Sequence, residues 1–191
     1  MQLLFKPKTL NNYSEWAFYN DVFNKDECDN IKTLFKNPEK STVTIGDDPS
    51  INYSDTRSSL VSWVPYNKDV RWIYERISNF VHDCNNSRYS FDIVGFNEPL
   101  QLAKYETGDY FDWHQDMGRD VSWRKLSVVV QLSDPSEYEG GQLEFLSTSK
   151  FAPNKLGSLI IFPSYLSHKV TPITGGTRYS LVAWISGPPY R

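Results

Sequence analysis

The segment Tyr105 to Asp116 reads YETGDYFDWHQD and places an imidazole and a carboxylate two residues apart, at His114 and Asp116. Alternate side chains of an extended strand share a face, so a His-x-Asp pair at a strand end can turn both groups into one cavity and hold one cation. A further imidazole, His168, follows the apolar run Leu159, Ile160, Ile161 and Phe162 and a break at Pro163 and Ser164. Two imidazoles and one carboxylate on one side of a metal, with the other side open, suit a non-haem Fe(II) ion that must take up a cosubstrate and oxygen. The chemistry to look for is therefore that of an iron oxygenase. The triplet alone is a weak signal, because it also occurs in exposed loops. Tyr110, Phe111 and Trp113 before it, with Met117 and Gly118 after it, fit a strand that ends at a pocket mouth.

Ten residues past His168 stands Arg178, in the stretch RYSLVAW. Strand alternation puts Arg178, Ser180, Val182 and Trp184 on one face. If that face is buried, the guanidinium needs an anion, and its planar fork suits a carboxylate bound through two hydrogen bonds. A dicarboxylate reaching from the metal to Arg178 would satisfy it. An internal salt bridge, or a place at an exposed strand end, would satisfy it equally.

These groups need a scaffold. Trp16 to Phe23 reads as a strand, and Asn24 with Glu27 forms a capping-box pattern for a helix carrying Cys28, Ile31, Leu34 and Phe35, ended by Asn37 and Pro38. The polar run Glu39 to Asp55 is a candidate lid. Arg57 to Trp63 reads as a strand leaving it. A second helix is predicted from Lys68 to Cys84, with Ile73, Ile77, Phe80, Val81 and Cys84 at helical spacing and Asn85–Asn86 as its stop. His82 lies in this helix without a partner at ligand spacing and is left out of the site. After Ser90 the texture turns to short β-type runs punctuated by Gly, Pro and Asp: 91–95, 100–105, 110–115, 125–132, 142–146, 158–162, 168–171 and 178–185. Eight such strands suffice for a jelly roll. The expected fold is mainly β with flanking helices, a double-stranded β-helix with two N-terminal helices packed on one side. The 191 residues are expected to form one domain, with 1–90 as helical support and lid and 91–187 as the core.

Composition narrows the function. Aromatic residues make up 15% of the chain, which suits a β-rich fold with a lined interior. A net charge of -3 without a basic stripe argues against nucleic acid as a partner. Cys28 and Cys84 do not make a disulfide framework and point to a reducing compartment. No run is long and apolar enough for a signal peptide or a membrane span, so a soluble cytoplasmic protein with no membrane partner is expected.

The order Tyr105, His114-x-Asp116, Gly140-Gly141, Gly157, His168, Arg178 resembles the Fe(II)- and 2-oxoglutarate-dependent dioxygenases, specifically their prolyl 4-hydroxylase-like branch. The likeness covers residues 91–187, with fragments of the N-terminal half. It implies His114, Asp116 and His168 as iron ligands and Arg178 as the partner of the distal carboxylate of 2-oxoglutarate, the four together forming the catalytic set. Tyr105 resembles the tyrosine of a Y-x-x-G motif that lines the cosubstrate pocket. Gln131 stands where some relatives carry a tyrosine, and Leu143 and Trp184 resemble pocket walls. In the N-terminal half, RSSLVSW resembles an R-x-S-x-x-x-W segment near the substrate groove, which makes Arg57 and Trp63 substrate candidates. The implied cofactors are Fe(II), 2-oxoglutarate and O2, with ascorbate as an accessory reductant. The implied partner is a peptide or protein containing proline. Hydroxylation of a free amino acid or other metabolite is the alternative, and a metal-binding jelly roll without oxidation chemistry is a third reading. A nucleic-acid dealkylase on this fold would carry a second arginine six residues past Arg178, where this chain has Trp184.

Overall fold

In the computed structural model, residues 15–41, 56–148 and 150–189 are described. The longest strand, β14 (Ile173–Ser186), is flanked by β6 (Leu100–Glu106) and β8 (Arg124–Gln131). Around this centre a large antiparallel sheet runs β1 (Ala17–Tyr19), β12 (Leu159–Pro163), β8, β14, β6, β4 (Leu60–Val64), β2 (Glu39–Lys40). The short strands β5 (Gly95–Phe96) and β9 (Tyr138–Gly140) pair with the ends of β14. A smaller sheet runs β11 (Lys150–Phe151), β10 (Leu143–Phe145), β13 (His168–Val170), β7 (Tyr110–His114), β3 (Arg57–Ser58). This is the jelly roll expected from the eight strand runs.

The large sheet is covered on both faces, which is why β8 and β12 read as nearly unbroken apolar runs rather than as alternating ones. On its outer face Leu181, Ala183, Ile185, Leu100, Leu102, Leu126, Val128 and Leu159 share one cluster with the two helices. Helix α1 (Lys25–Lys32) contributes Cys28 and Ile31, and α2 (Arg71–Cys84) contributes Ile73, Tyr74, Ile77, Val81 and Cys84. On the inner face, alternate residues of the same strands look toward the small sheet and make the cavity described below. Both cysteines are free and buried, and burial pushes each thiol up to about 11. No helix among the described residues is long and apolar enough to cross a membrane.

Two helix boundaries differ from the expectation, each where a polar side chain competes for the backbone. The capping box forms, with Glu27 N–H donating to Asn24 Oδ1 and Asn24 N–H to Glu27 Oε2, both at 2.9 Å. The helix nevertheless ends at Lys32, not at Asn37. Thr33 donates its hydroxyl to the Asn30 carbonyl at 2.7 Å and splits its N–H between Asp29 and Asn30, leaving Leu34 and Phe35 to pack on the core from irregular backbone. Helix α2 starts at Arg71 rather than Lys68, because Asn67 Oδ1 first accepts from Asp69 and Val70 N–H. It ends at Cys84, as expected, with Asn85 as its C-cap. The buried Asn85 amide brackets the backbone of Phe91 through two hydrogen bonds of 2.9 and 3.0 Å, and the chain goes on as a separate π-helical turn, Asn85–Tyr89, closed by Ser90 at φ 54°. The strand predicted over 91–95 shrinks to β5, paired only at Gly95 and Phe96.

The run RSSLVSW is not one strand. Arg57 pairs with Phe111 in the small sheet, while Leu60 pairs with Lys104 in the large one, so the chain crosses between sheets at Ser59. Of the expected lid, Glu39 and Lys40 pair with β4, and 42–55 lie outside the described residues.

Ile77 is fully buried on the outer face, far in the chain from the ligand strands. Ile77→Ala should lower unfolding free energy by about 2–5 kcal/mol, measured by denaturant titration, and should leave the affinity for a divalent metal unchanged.

Candidate active site

Strand register brings the imidazoles together: in the small sheet His168 sits directly across from His114, with ring centroids 4.2 Å apart. Asp116 lies just past the end of β7. Its N–H and that of Met117 both donate to the Ser164 carbonyl at 3.0 Å, while Gln115 turns outward to the Tyr165 carbonyl. Asp116 Oδ1 is then 3.6 Å from His114 Nε2 and Oδ2 is 3.7 Å from His168 Nε2, and the ligating atoms of all three lie within 4.8 Å of one another.

The protonation pattern follows from the backbone. His114 Nδ1 lies 2.7 Å from the Asp112 carbonyl and His168 Nδ1 lies 2.9 Å from that of Leu166. A carbonyl only accepts, so in both rings Nδ1 carries the proton and Nε2 presents a lone pair to the carboxylate. Two lone pairs and a carboxylate facing one point repel unless a cation sits between them, and neutral nitrogen with carboxylate oxygen on one face fits Fe(II). Desolvation lowers His168 to about 4, against the pull of Asp116, so it is neutral at neutral pH. Burial acts to raise Asp116, but the attraction of His168 and His114 once they are protonated in acid, with the Ser127 hydroxyl, outweighs it and holds the carboxyl well below the usual range. Ser127 Oγ donates to Asp116 Oδ2 at 2.6 Å and, having spent its proton, accepts from Ser164 Oγ at 2.9 Å.

Across the cavity Arg178 is 1% exposed. Its Nη2 donates to Gln131 Oε1 at 2.9 Å and its Nη1 to Ser180 Oγ at 3.5 Å, both neutral partners, and its buried Nε has none. The guanidinium lies 5.6 Å from the centre of the Tyr105 ring, its cross-strand partner. Gly141, at φ +61°, makes room for it: a Cβ there would come within 2.9 Å of Arg178 Cδ and 2.3 Å of Ile173 Cδ1. A buried cation with an unfilled donor, opposite a metal-type cluster, fits a dicarboxylate bound between the two.

The cavity, with about 430 Å³ of empty space partly open to solvent, is lined by the three metal-type residues together with Arg178, Tyr105, Leu143, Trp184 and Arg57, all singled out from the sequence. Gln131 stands behind Arg178 rather than in the wall. Trp63 stays outside the cavity, 40% exposed, tilted against Trp184 at 6.4 Å, with its Nε1 donating to Glu39 at 2.8 Å. Sequence reading missed Phe111, which stacks on His114 at 3.4 Å and 8° while the Arg57 guanidinium lies 4.6 Å from its centre. Simple alternation puts residues 111 and 114 on opposite faces. The pairing of His168 with His114 and of Val170 with Phe111 sets two steps of β13 against three of β7, and this bulge brings both rings to one side. The ligand-orienting role of Ser127 was also missed, and Gln101 and Val170 in the wall had no local signal.

The fold and site together define an antiparallel jelly roll with a two-histidine, one-carboxylate metal face and a buried arginine opposite. Comparison with known proteins gives the same class. Residues 100–186, which hold His114, Asp116, His168 and Arg178, match the profile of the 2OG-Fe(II) oxygenase superfamily. A PKHD-type hydroxylase of Synechococcus sp. strain CC9902 is 37% identical over 99 residues, 50% of this chain and 45% of that protein. The chain thus spans about half the length of the curated relatives it matches. Among solved structures, a Pseudomonas putida prolyl-4-hydroxylase superposes with a TM-score of 0.70 at 19% identity, covering 91% of this chain and 93% of that one. A Trichoplax adhaerens prolyl hydroxylase, solved with a hypoxia inducible factor peptide fragment, gives 0.73 at 15%, covering 91% and 84%. The chain therefore shares the fold of these prolyl hydroxylases, as its motif order implied.

Two outcomes follow. Ser127→Ala should weaken binding of Mn(II) or Co(II) by about 10–100-fold in anaerobic calorimetry, with an unchanged circular dichroism spectrum. In acid, the metal-free protein should lose stability. The folded His168 value of about 4 lies below the ordinary 6.5, so as pH falls the unfolded chain takes up that proton first and stability drops between these values. Asp116, depressed below its ordinary 3.8, continues the loss at lower pH. The melting temperature of chelator-treated protein, followed from pH 7 to 4, should fall, and His168→Gln should remove about one proton from the slope.

Proposed function

We propose that the chain is an Fe(II)- and 2-oxoglutarate-dependent hydroxylase acting on prolyl residues of a peptide or protein. The observation that carries this is the buried Arg178, held by two neutral groups with one donor unfilled, across a single cavity from two imidazoles of fixed tautomer and an ionised carboxylate. His114, Asp116 and His168 would hold Fe(II), and Arg178, backed by Gln131 and Ser180, would hold the distal carboxylate of 2-oxoglutarate. Fe(II) with 2-oxoglutarate and O2 supplies oxidative decarboxylation to succinate and hydroxylation of a C–H bond, with ascorbate as an accessory reductant.

The chain's own residues orient and protect. Ser127 fixes one carboxylate oxygen, the two backbone carbonyls fix the imidazole rings, and Phe111, Leu143 and Val129 exclude water from around them. Tyr105 packs under the guanidinium, and Trp184 walls the cavity next to the exposed Trp63. Arg57 and the Trp63–Trp184 pair are the surfaces a proline-containing peptide would meet. The whole chain is taken as one domain, and the two buried free thiols suit a cytoplasmic setting.

The test is succinate release from 2-oxoglutarate with Fe(II), together with mass spectrometry of a proline-rich peptide library. A gain of one oxygen on proline is expected. Succinate coupled only to a free amino acid or metabolite would move the substrate class, and no succinate with any substrate or without one would leave a binding protein. Arg178→Ala should raise the KM for 2-oxoglutarate by about 10–100-fold, the loss of charge-assisted hydrogen bonds, while metal affinity measured without cosubstrate holds.

A further inference from the structure

The loop that carries Asp116 is gripped from a second side by an ion pair outside the ligand set. Arg124, the first residue of β8, and Glu98, in the turn before β6, have side chains only 14% and 21% exposed. Arg124 Nε donates to Glu98 Oε2 at 2.7 Å and Nη2 donates to Oε1, a two-point fork. Its Nη1 turns the other way and donates to the Asp116 backbone carbonyl at 3.1 Å. The flat face of the same guanidinium lies 3.8 Å from the centre of the Trp184 ring, which lines the cavity.

We propose that Glu98 and Arg124 are a positioning pair that locks the peptide unit of Asp116 and the indole of Trp184 into one rigid arrangement, so that metal affinity and the shape of the substrate wall are set together. The proposal rests on the reading of Asp116 as a metal ligand. The geometry is specific. Among the described residues, Asp116 is fixed at its N–H by Ser164, at its carboxylate by Ser127, and at its carbonyl by Arg124. Without the Arg124 hold, the peptide after Asp116 is kept among the described residues only by the Met117 N–H on the Ser164 carbonyl, and the carboxylate gains freedom to swing off the line of the two Nε2 lone pairs. Only a guanidinium can do all of this at once. It offers a fork for the carboxylate, a further donor pointing elsewhere and a planar face for an indole, whereas an ammonium offers one charged point. Glu98 matters because it fills the fork and so fixes which N–H is left for Asp116. With its fork, its outward donor and its stacking face all engaged, Arg124 is committed to the protein rather than to a bound anion.

The experiment uses the full chain without cosubstrate or peptide and reads Co(II) binding by calorimetry and the visible ligand-field spectrum of the Co(II) protein. Arg124→Lys and Glu98→Gln should each weaken Co(II) by about 10-fold and alter that spectrum, and the double variant should be no weaker than the worse single one, the non-additivity of residues acting as a unit. Arg124→Gln keeps a planar donor and guards against a lysine variant that folds poorly. In peptide assays the pair should change kcat together with KM. Unchanged Co(II) affinity and spectrum with a lowered melting temperature would make the pair merely structural and overturn the proposal. So would unchanged Co(II) binding with a raised peptide KM, which would make Arg124 a substrate contact. Asp116→Ala is the control: if it still binds Co(II) normally, the ligand reading itself fails, whereas loss of binding there with no effect of the pair sinks the pair alone.

Discussion

The structure turns on an uncompensated charge arrangement. In one cavity partly open to solvent, a carboxylate and two imidazole lone pairs face the same point, and a guanidinium with no anionic partner among the described residues faces them from the far wall. In low dielectric neither half is stable alone: the donor cluster needs a cation and the arginine needs an anion. A cation that chelates one end of a dicarboxylate, whose other end reaches the arginine, satisfies both. Every surrounding feature can be read as holding these two unmet charges at a fixed distance.

The scaffold achieves this with antiparallel register. Three of the four groups owe their place to strand pairing: His114 opposite His168 in the small sheet, and Arg178 opposite Tyr105 in the large one. Cross-strand neighbours within a sheet are fixed to a fraction of a residue, because a one-residue slip would turn the whole cavity face outward and the outer core inward. The outer face, with Leu181, Ala183 and Ile185 packed on α2, therefore fixes the inner face as well. Asp116 alone lies past a strand end, and it is the group with the most auxiliary bonds: Ser164 at the N–H, Ser127 at the side chain and Arg124 at the carbonyl. Where register cannot position a ligand, hydrogen bonds from neighbouring elements take over.

Much of the site was legible before any coordinates, and the reasons are local. His114 and Asp116 stand at a spacing a strand end can use. Arg178, Ser180, Val182 and Trp184 alternate as a strand must, and all four line the cavity. The capping box at Asn24 and Glu27 announced a helix that forms where expected. What failed locally failed for a physical cause: Thr33 and Asn67 each spend a side chain on nearby backbone and so shift a helix boundary.

The sequence by itself determined the alternation of faces, the mainly β class, the identity of the metal-type residues and the presence of an arginine that would need an anion. These depend on periodicity and residue chemistry, which are properties of short stretches. Only the tertiary structure decided that RSSLVSW serves two sheets, that a bulge in β7 turns Phe111 onto His114, that Ser127 points at Asp116, and that Glu98 reaches Arg124. Each of these joins residues on different elements or breaks the period of one, and no pattern read along a single stretch of chain carries that information.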